Sequence, residues 1–137
     1  MAELYDIGEY ADMTITIPAN SSFSRGLVLG CASASNKLLP FATPEAEDED
    51  ELSTMAASPE VYAASPEYVL VNFDGIKNDT GSPVDVTAKV LVAGRVNAYG
   101  LCFAKEADTI ETAGLLTKLK NNGIVARRIE NYVEEDK

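Results

Sequence analysis

The chain has 137 residues, 46% of them apolar and 24% charged, which is the make-up of one globular domain and excludes disorder throughout. It contains no His and no Trp, so Ser-His-Asp and Cys-His nucleophile systems are excluded, as is every zinc site that uses an imidazole. The 11 basic and 22 acidic side chains leave a net charge of −11, a balance that repels nucleic acid, whose binding proteins present basic surface.

Residues 1–12 mix acids, Gly and two Tyr with no sustained period, and the expectation is an extended arm. Met13, Thr14, Ile15, Thr16 and Ile17 then alternate apolar and polar with β-branched side chains, the period of a half-buried strand, which Pro18 ends. No hairpin partner is evident nearby, so this strand is a candidate to add to an exposed sheet edge of another protein; its alternative partner is 124–129 of the same domain. Residues 20–22 read as a turn. Arg25 to Cys31 reads as a short strand with Gly26 and Gly30 near its ends, and Lys37 to Phe41 as its hairpin partner, with Pro40 suggesting an edge.

From Thr43 to Pro66 the composition changes. Glu45, Glu47, Asp48, Glu49, Asp50 and Glu51 are followed by a stretch rich in Ala, Ser and Pro. Hard cations favour carboxylate oxygens, but the run lacks the glycine and ordered alternation of an EF-hand loop, and it reads as a self-repelling surface loop. No metal site is expected.

Glu67 to Asp74 is β-rich, 77–83 is a turn cluster, and Val84 to Val96 is a long strand with Val84, Val86, Ala88, Val90 and Val92 on one apolar face. These two strands form the clearest hairpin. Asp108 and Glu111 have the spacing of a capping box, and Ile110, Ala113, Leu116 and Leu119 recur at helical spacing before Gly123, predicting one helix over 109–122. Ile124 to Ile129 returns as a last strand, and 131–137 is a charged tail. The domain plan is thus an arm and first strand over 1–18, one β-rich domain over 19–130 with the acidic loop 43–66, and the tail.

Chemistry-bearing patterns are sparse. Asp74, Asp79 and Asp85 surround one hairpin, but Asp is common in turns and no acid–base pair is expected. Gly26 and Gly30 are too sparse for a phosphate loop. Cys31 and Cys102 lack metal-binding spacing and read as small buried apolar residues, with a disulfide left open. The Asn78, Asp79, Thr80 triplet matches a glycosylation sequon but reads as a turn. No N-terminal leader pattern and no run of about 18 apolar residues is present, so the expectation is a cytoplasmically made protein with no membrane span and no cofactor. Such a chain is expected to be a binding or structural module, not an enzyme.

The order of segments adds to this. An alternating strand (13–17) leads to Arg25, Gly26, Leu29 and Gly30, then a Ser35 to Lys37 turn. Val69 to Asp74 follows, then a Val-rich strand closing on Gly94 and Asn97, then a helix leaving through Gly123 and Ile124. Over residues 12–129 this order resembles the tailed-phage head decoration proteins of the lambda protein D type. The acidic run between Thr43 and Pro66 departs from that family, which has a shorter connection there. The resemblance implies a mainly β domain with one C-terminal α-helix, a β-clip-like or small β-barrel body with an extended N-terminal arm. It also implies a homotrimer bound to the major capsid protein on the outer surface of the virion head after expansion, with no catalysis. Acidity suits an exterior position, and a small domain with arms gains core by oligomerising. Two other classes remain: a biotinyl or lipoyl carrier, which would present Lys37 or Lys77 at a hairpin tip, and a carbohydrate-binding module, for which Tyr62, Tyr68 and Tyr99 are too scattered to form a platform.

Overall fold

Alternating Met13–Ile17 is the second half of a longer strand, β1 (Ile7–Ile17), so the expected arm is strand from Ile7 onward. The computed structural model describes residues 4, 6–32, 36–43, 61–105, 108–112 and 114–128. After β1 come β2 (Ser21–Phe23), β3 (Val28–Cys31), β4 (Leu38–Pro40), β5 (Tyr68–Leu70), β6 (Ile76–Asn78) and β7 (Val84–Asn97). A 3-10 turn at Ala98–Gly100, the helix α1 (Leu115–Asn121) and β8 (Ile124–Arg127) complete the described elements. The fold is mainly β with a single helix near the C-terminus.

β1 lies antiparallel to β7 over its whole length, from Ile7 opposite Arg95 to Ile17 opposite Val84. It also meets β4 in parallel at Ile15 opposite Leu38. The order β1-β4-β3-β5-β7, with β7 returning to β1, closes a five-stranded barrel, and β8 extends it in parallel beside the end of β7. Closure removes the open edges that a flat sheet of these strands would expose. It also corrects the reading of Pro40 as an edge residue, since β4 is flanked by β1 and β3.

The period-two pattern explains both cores. One face of each stave supplies Ile15, Ile17, Leu29, Leu38, Leu70, Ala88 and Val90, which with Leu27 and Ile76 fill the barrel. The opposite face of β3, β5 and β7 supplies Val28, Val69, Leu91 and Val96, covered by Leu115 and Leu119 of α1 and Ile124 of β8. The register of β1 against β7 slips between Glu9 and Tyr10, leaving Val92 as the extra residue of a bulge.

Several expectations are corrected. Ser21–Phe23 is a strand, paired with β6, where a turn was expected, because its partner lies over fifty residues away. β5 does pair with β7, at Val69 opposite Leu91 and Leu70 opposite Val90, but β6 intervenes and the long partner of β7 is β1. The helix starts at Leu115, not 109, preceded by Gly114 in a left-handed conformation. Asp108 does not cap it: the carboxylate accepts from the Thr43 amide at 3.1 Å and hydroxyl at 2.5 Å. Glu111 reaches Arg128, not back toward Asp108. Gly123 takes the left-handed exit as expected, at φ 97°. The acidic run 45–51 and the tail 131–137 lie outside the described residues.

Candidate interaction surface

The residues of the pattern singled out in the sequence are structural, in the barrel and in the sheet that extends beyond it. Arg25 forms an ion pair with Asp6, tying the segment before β1 to the β2–β3 turn. Gly26 follows at φ 103°, where its amide donates to the Leu70 carbonyl at 2.7 Å and its carbonyl accepts from the Cys102 amide at 2.9 Å. A Cβ there would sit 2.3 Å from the Gly100 carbonyl oxygen, so only glycine fits. Leu29 is fully buried in the barrel, and Gly30 lies against the Ser65 carbonyl. Gly94 faces Gly8 across the β1–β7 ladder, and Asn97 is buried, its side-chain oxygen accepting from the Tyr99 amide.

The Met13 to Ile17 strand is likewise internal. Ile15 and Ile17 are fully buried, and Met13 packs against the barrel core. Their backbone is paired with β7, which corrects the picture of a strand waiting for a foreign edge. Thr14 stands opposite Thr87 on the outer face. Thr16 donates to Asp85 at 2.6 Å, and Lys37 reaches the same carboxylate at 2.5 Å. Hydrogen bonding from Lys37, then from Thr16, holds the Asp85 carboxyl below its ordinary range.

The exposed apolar groups lie elsewhere. Phe73 is 88% exposed at the tip between β5 and β6, and Ile7, Tyr10 and Val61 are the other exposed large hydrophobics among the described residues. The Phe73 turn is locked: the Gly75 amide donates to the Asn72 carbonyl at 3.0 Å, and the Asn72 side-chain amide donates to the Gly75 carbonyl at 3.0 Å. Sequence reading placed Phe73 inside a strand. The available signal was Asn72 and Gly75 at the first and last positions of a four-residue turn, which puts Phe73 at a corner.

Other candidates resolve into structural partners. Asp79 pairs with Lys77 at 3.5 Å while Asp85 pairs with Lys37, so the hairpin carboxylates serve separate contacts. Both of the lysines that a carrier domain would present for modification stand in solvent-exposed ion pairs. Asn78 is buried, donating to the Ile17, Pro18 and Ser82 carbonyls; it ends β6 where a turn was expected, and its side-chain oxygen accepts from the Thr80 amide at 2.8 Å as the chain leaves the strand. Cys31 is exposed, not buried as expected, because its strand ends there. Both thiols are free. Partial shielding, then the nearby Glu67 carboxylate, pushes the Cys31 thiol up, and burial pushes up that of Cys102. Among the described residues no group of three His, Cys, Asp or Glu could hold a metal ion, and no helix is long and apolar enough to cross a membrane.

Fold and surface together define a small closed β-barrel with exposed apolar side chains on strand β1, at Ile7 and Tyr10, and on the β5–β6 turn, at Phe73. No family model, curated protein or solved structure matches the chain.

Proposed function

We propose that the protein is a structural cement of a bacteriophage head, binding the major capsid protein on the outer surface of the expanded shell as a homotrimer. The observation that carries this reading is Phe73, an aromatic side chain 88% exposed on a turn locked by two hydrogen bonds. Water does not favour such exposure, and a preorganised aromatic is the usual anchor of a protein interface, since little conformational freedom is lost on docking. The segment order that resembles lambda-type decoration proteins supports the choice of partner. Packed DNA pushes shell subunits apart, and a clip that binds only the expanded lattice stabilises that state by mass action. Differential affinity, with no bond made or broken, is then the whole mechanism.

The test is cosedimentation with expanded and unexpanded empty heads of its own phage, using the full chain and Phe73→Ala. Binding is expected on expanded heads only, and the substitution is expected to weaken it about tenfold or more, about 1.4 kcal/mol. Equal binding to both head forms, or to neither, overturns the proposal. A chain starting at Pro18 is a poor probe, because it lacks the β1 stave of the barrel.

A further inference from the structure

Beyond the barrel, β1, β7 and β8 continue as a three-stranded sheet: Ile7 and Gly8 stand opposite Arg95 and Gly94, and Gly94 to Asn97 stand opposite Ile124 to Arg127. Among the described residues no strand pairs with the outer edge of β1 over 7–12 or with the outer edge of β8. Proteins protect such edges with charged side chains, Pro or a bulge; residues 7–12 carry no Pro, the bulge lies on β7, and their charges are the acids Glu9 and Asp12, which repel another acidic edge but not a basic one. Two of the exposed large hydrophobics, Ile7 and Tyr10, sit on this edge strand. The edges also differ in charge. On β1, Asp12 stands opposite Lys89 of β7, which also lies over the Tyr10 ring, leaving exposed Glu9 as the acid without a cation opposite it, whereas β8 ends on exposed Arg127 with no acid in the strand.

We infer that the β1 edge of one copy pairs with the β8 edge of the next, so that copies join head to tail. Charge selects the occupant. Two β1 edges would oppose acid to acid, and a chain of net charge −11 repels its own copies unless opposite charges meet locally. A β1–β8 pairing sets Glu9 against Arg127 and draws exposed Ile7 into the contact. Such a contact uses two different surfaces, so it yields a closed ring or an open filament according to the rotation between copies. Closure at three copies rests on the decoration reading above; the pairing of edges does not.

The experiment is sedimentation equilibrium of the full chain over a concentration series at low and high salt, with Glu9→Arg, Arg127→Glu and the two combined. Circular dichroism and thermal melting report that each variant is folded. The wild type is expected to associate more weakly at high salt, each single reversal to weaken association about tenfold, and the combined variant to recover most of the loss. Hydrogen exchange of residues 7–12 and 124–127 is expected to slow as association proceeds. A wild type that stays monomeric, single variants that assemble unchanged, or a folded double variant that does not recover would each overturn the inference. Head cosedimentation run in parallel separates the two ideas: a monomer that still binds expanded heads sinks the edge pairing alone, and an edge-paired assembly that ignores heads sinks the capsid reading alone.

Discussion

Replacing Gly94 with Ala isolates the contribution of the sheet extension from that of the barrel. A Cβ at Gly94 would lie 2.1 Å from the Ile7 carbonyl oxygen and 2.7 Å from Gly8 Cα, and φ there is 145°. The neighbour is backbone and cannot rotate away, so β1 must leave β7 at this point. What is lost lies N-terminal to the bulge. Leu4, only 3% exposed, leaves the outer core, at a cost of about 2 kcal/mol. The Asn97 amide loses its 2.6 Å bond to the Leu4 carbonyl, about 1 kcal/mol more. Peeling caps the damage at about 3 kcal/mol, because residues 10–17 keep their places and the barrel stays closed. For a chain of this length that corresponds to a fall in melting temperature of about 10 °C. Native-state hydrogen exchange on Gly94→Ala should show lost protection confined to 7–9 and to Asn97, whose amide loses the Leu4 carbonyl, with 13–17 and 84–90 still protected. Unchanged protection at 7–9, or loss spread evenly over all of β1 and β7, would refute the reasoning.

Leu29→Ala empties a fully buried position in a closed barrel that cannot collapse around it, and should cost about 3 to 4 kcal/mol in chemical denaturation, against less than about 2 for half-buried Leu116→Ala; equal costs would count against the barrel core. Asp85 has its folded pKa lowered by Lys37 and Thr16, so its stabilisation is complete above the ordinary value of 3.8 and is lost as pH falls below that through the folded value. Asp85→Asn should therefore melt with a shallower acid dependence than the wild type, and identical acid limbs would refute this. The Cys31 thiol should alkylate with an inflection above 9.0, because shielding and Glu67 disfavour the thiolate, and Glu67→Gln should bring the inflection down and speed the reaction; a wild-type inflection at or below 9.0 would sink that account.

Local patterns legible without coordinates were those whose causes are local. Alternation at Met13–Ile17 and over Val84–Val96 marked strands, because a stave with one wet and one dry face must repeat every two residues. Pro18 and Gly123 marked ends for steric reasons that need no partner. The β3–β4 hairpin was readable because only six residues separate its strands in sequence. The candidate surface was much less legible. Phe73 was hidden because its hydrophobicity argued for burial, whereas a turn set by Asn72 and Gly75 holds it in water. Asp108 looked like a helix cap until Thr43, a distant residue, claimed the carboxylate.

Composition and periodicity alone determined a mainly β domain with one helix, since they record which side chains must leave water. Which strand lies beside which was decided only in three dimensions. Closing the ring required β1 to lie along β7, far away in sequence, and that pairing turned an apparent free arm into a barrel stave. The same closure left 7–12 of β1 and all of β8 with open outer edges among the described residues, because the sheet runs past the point where the barrel shuts.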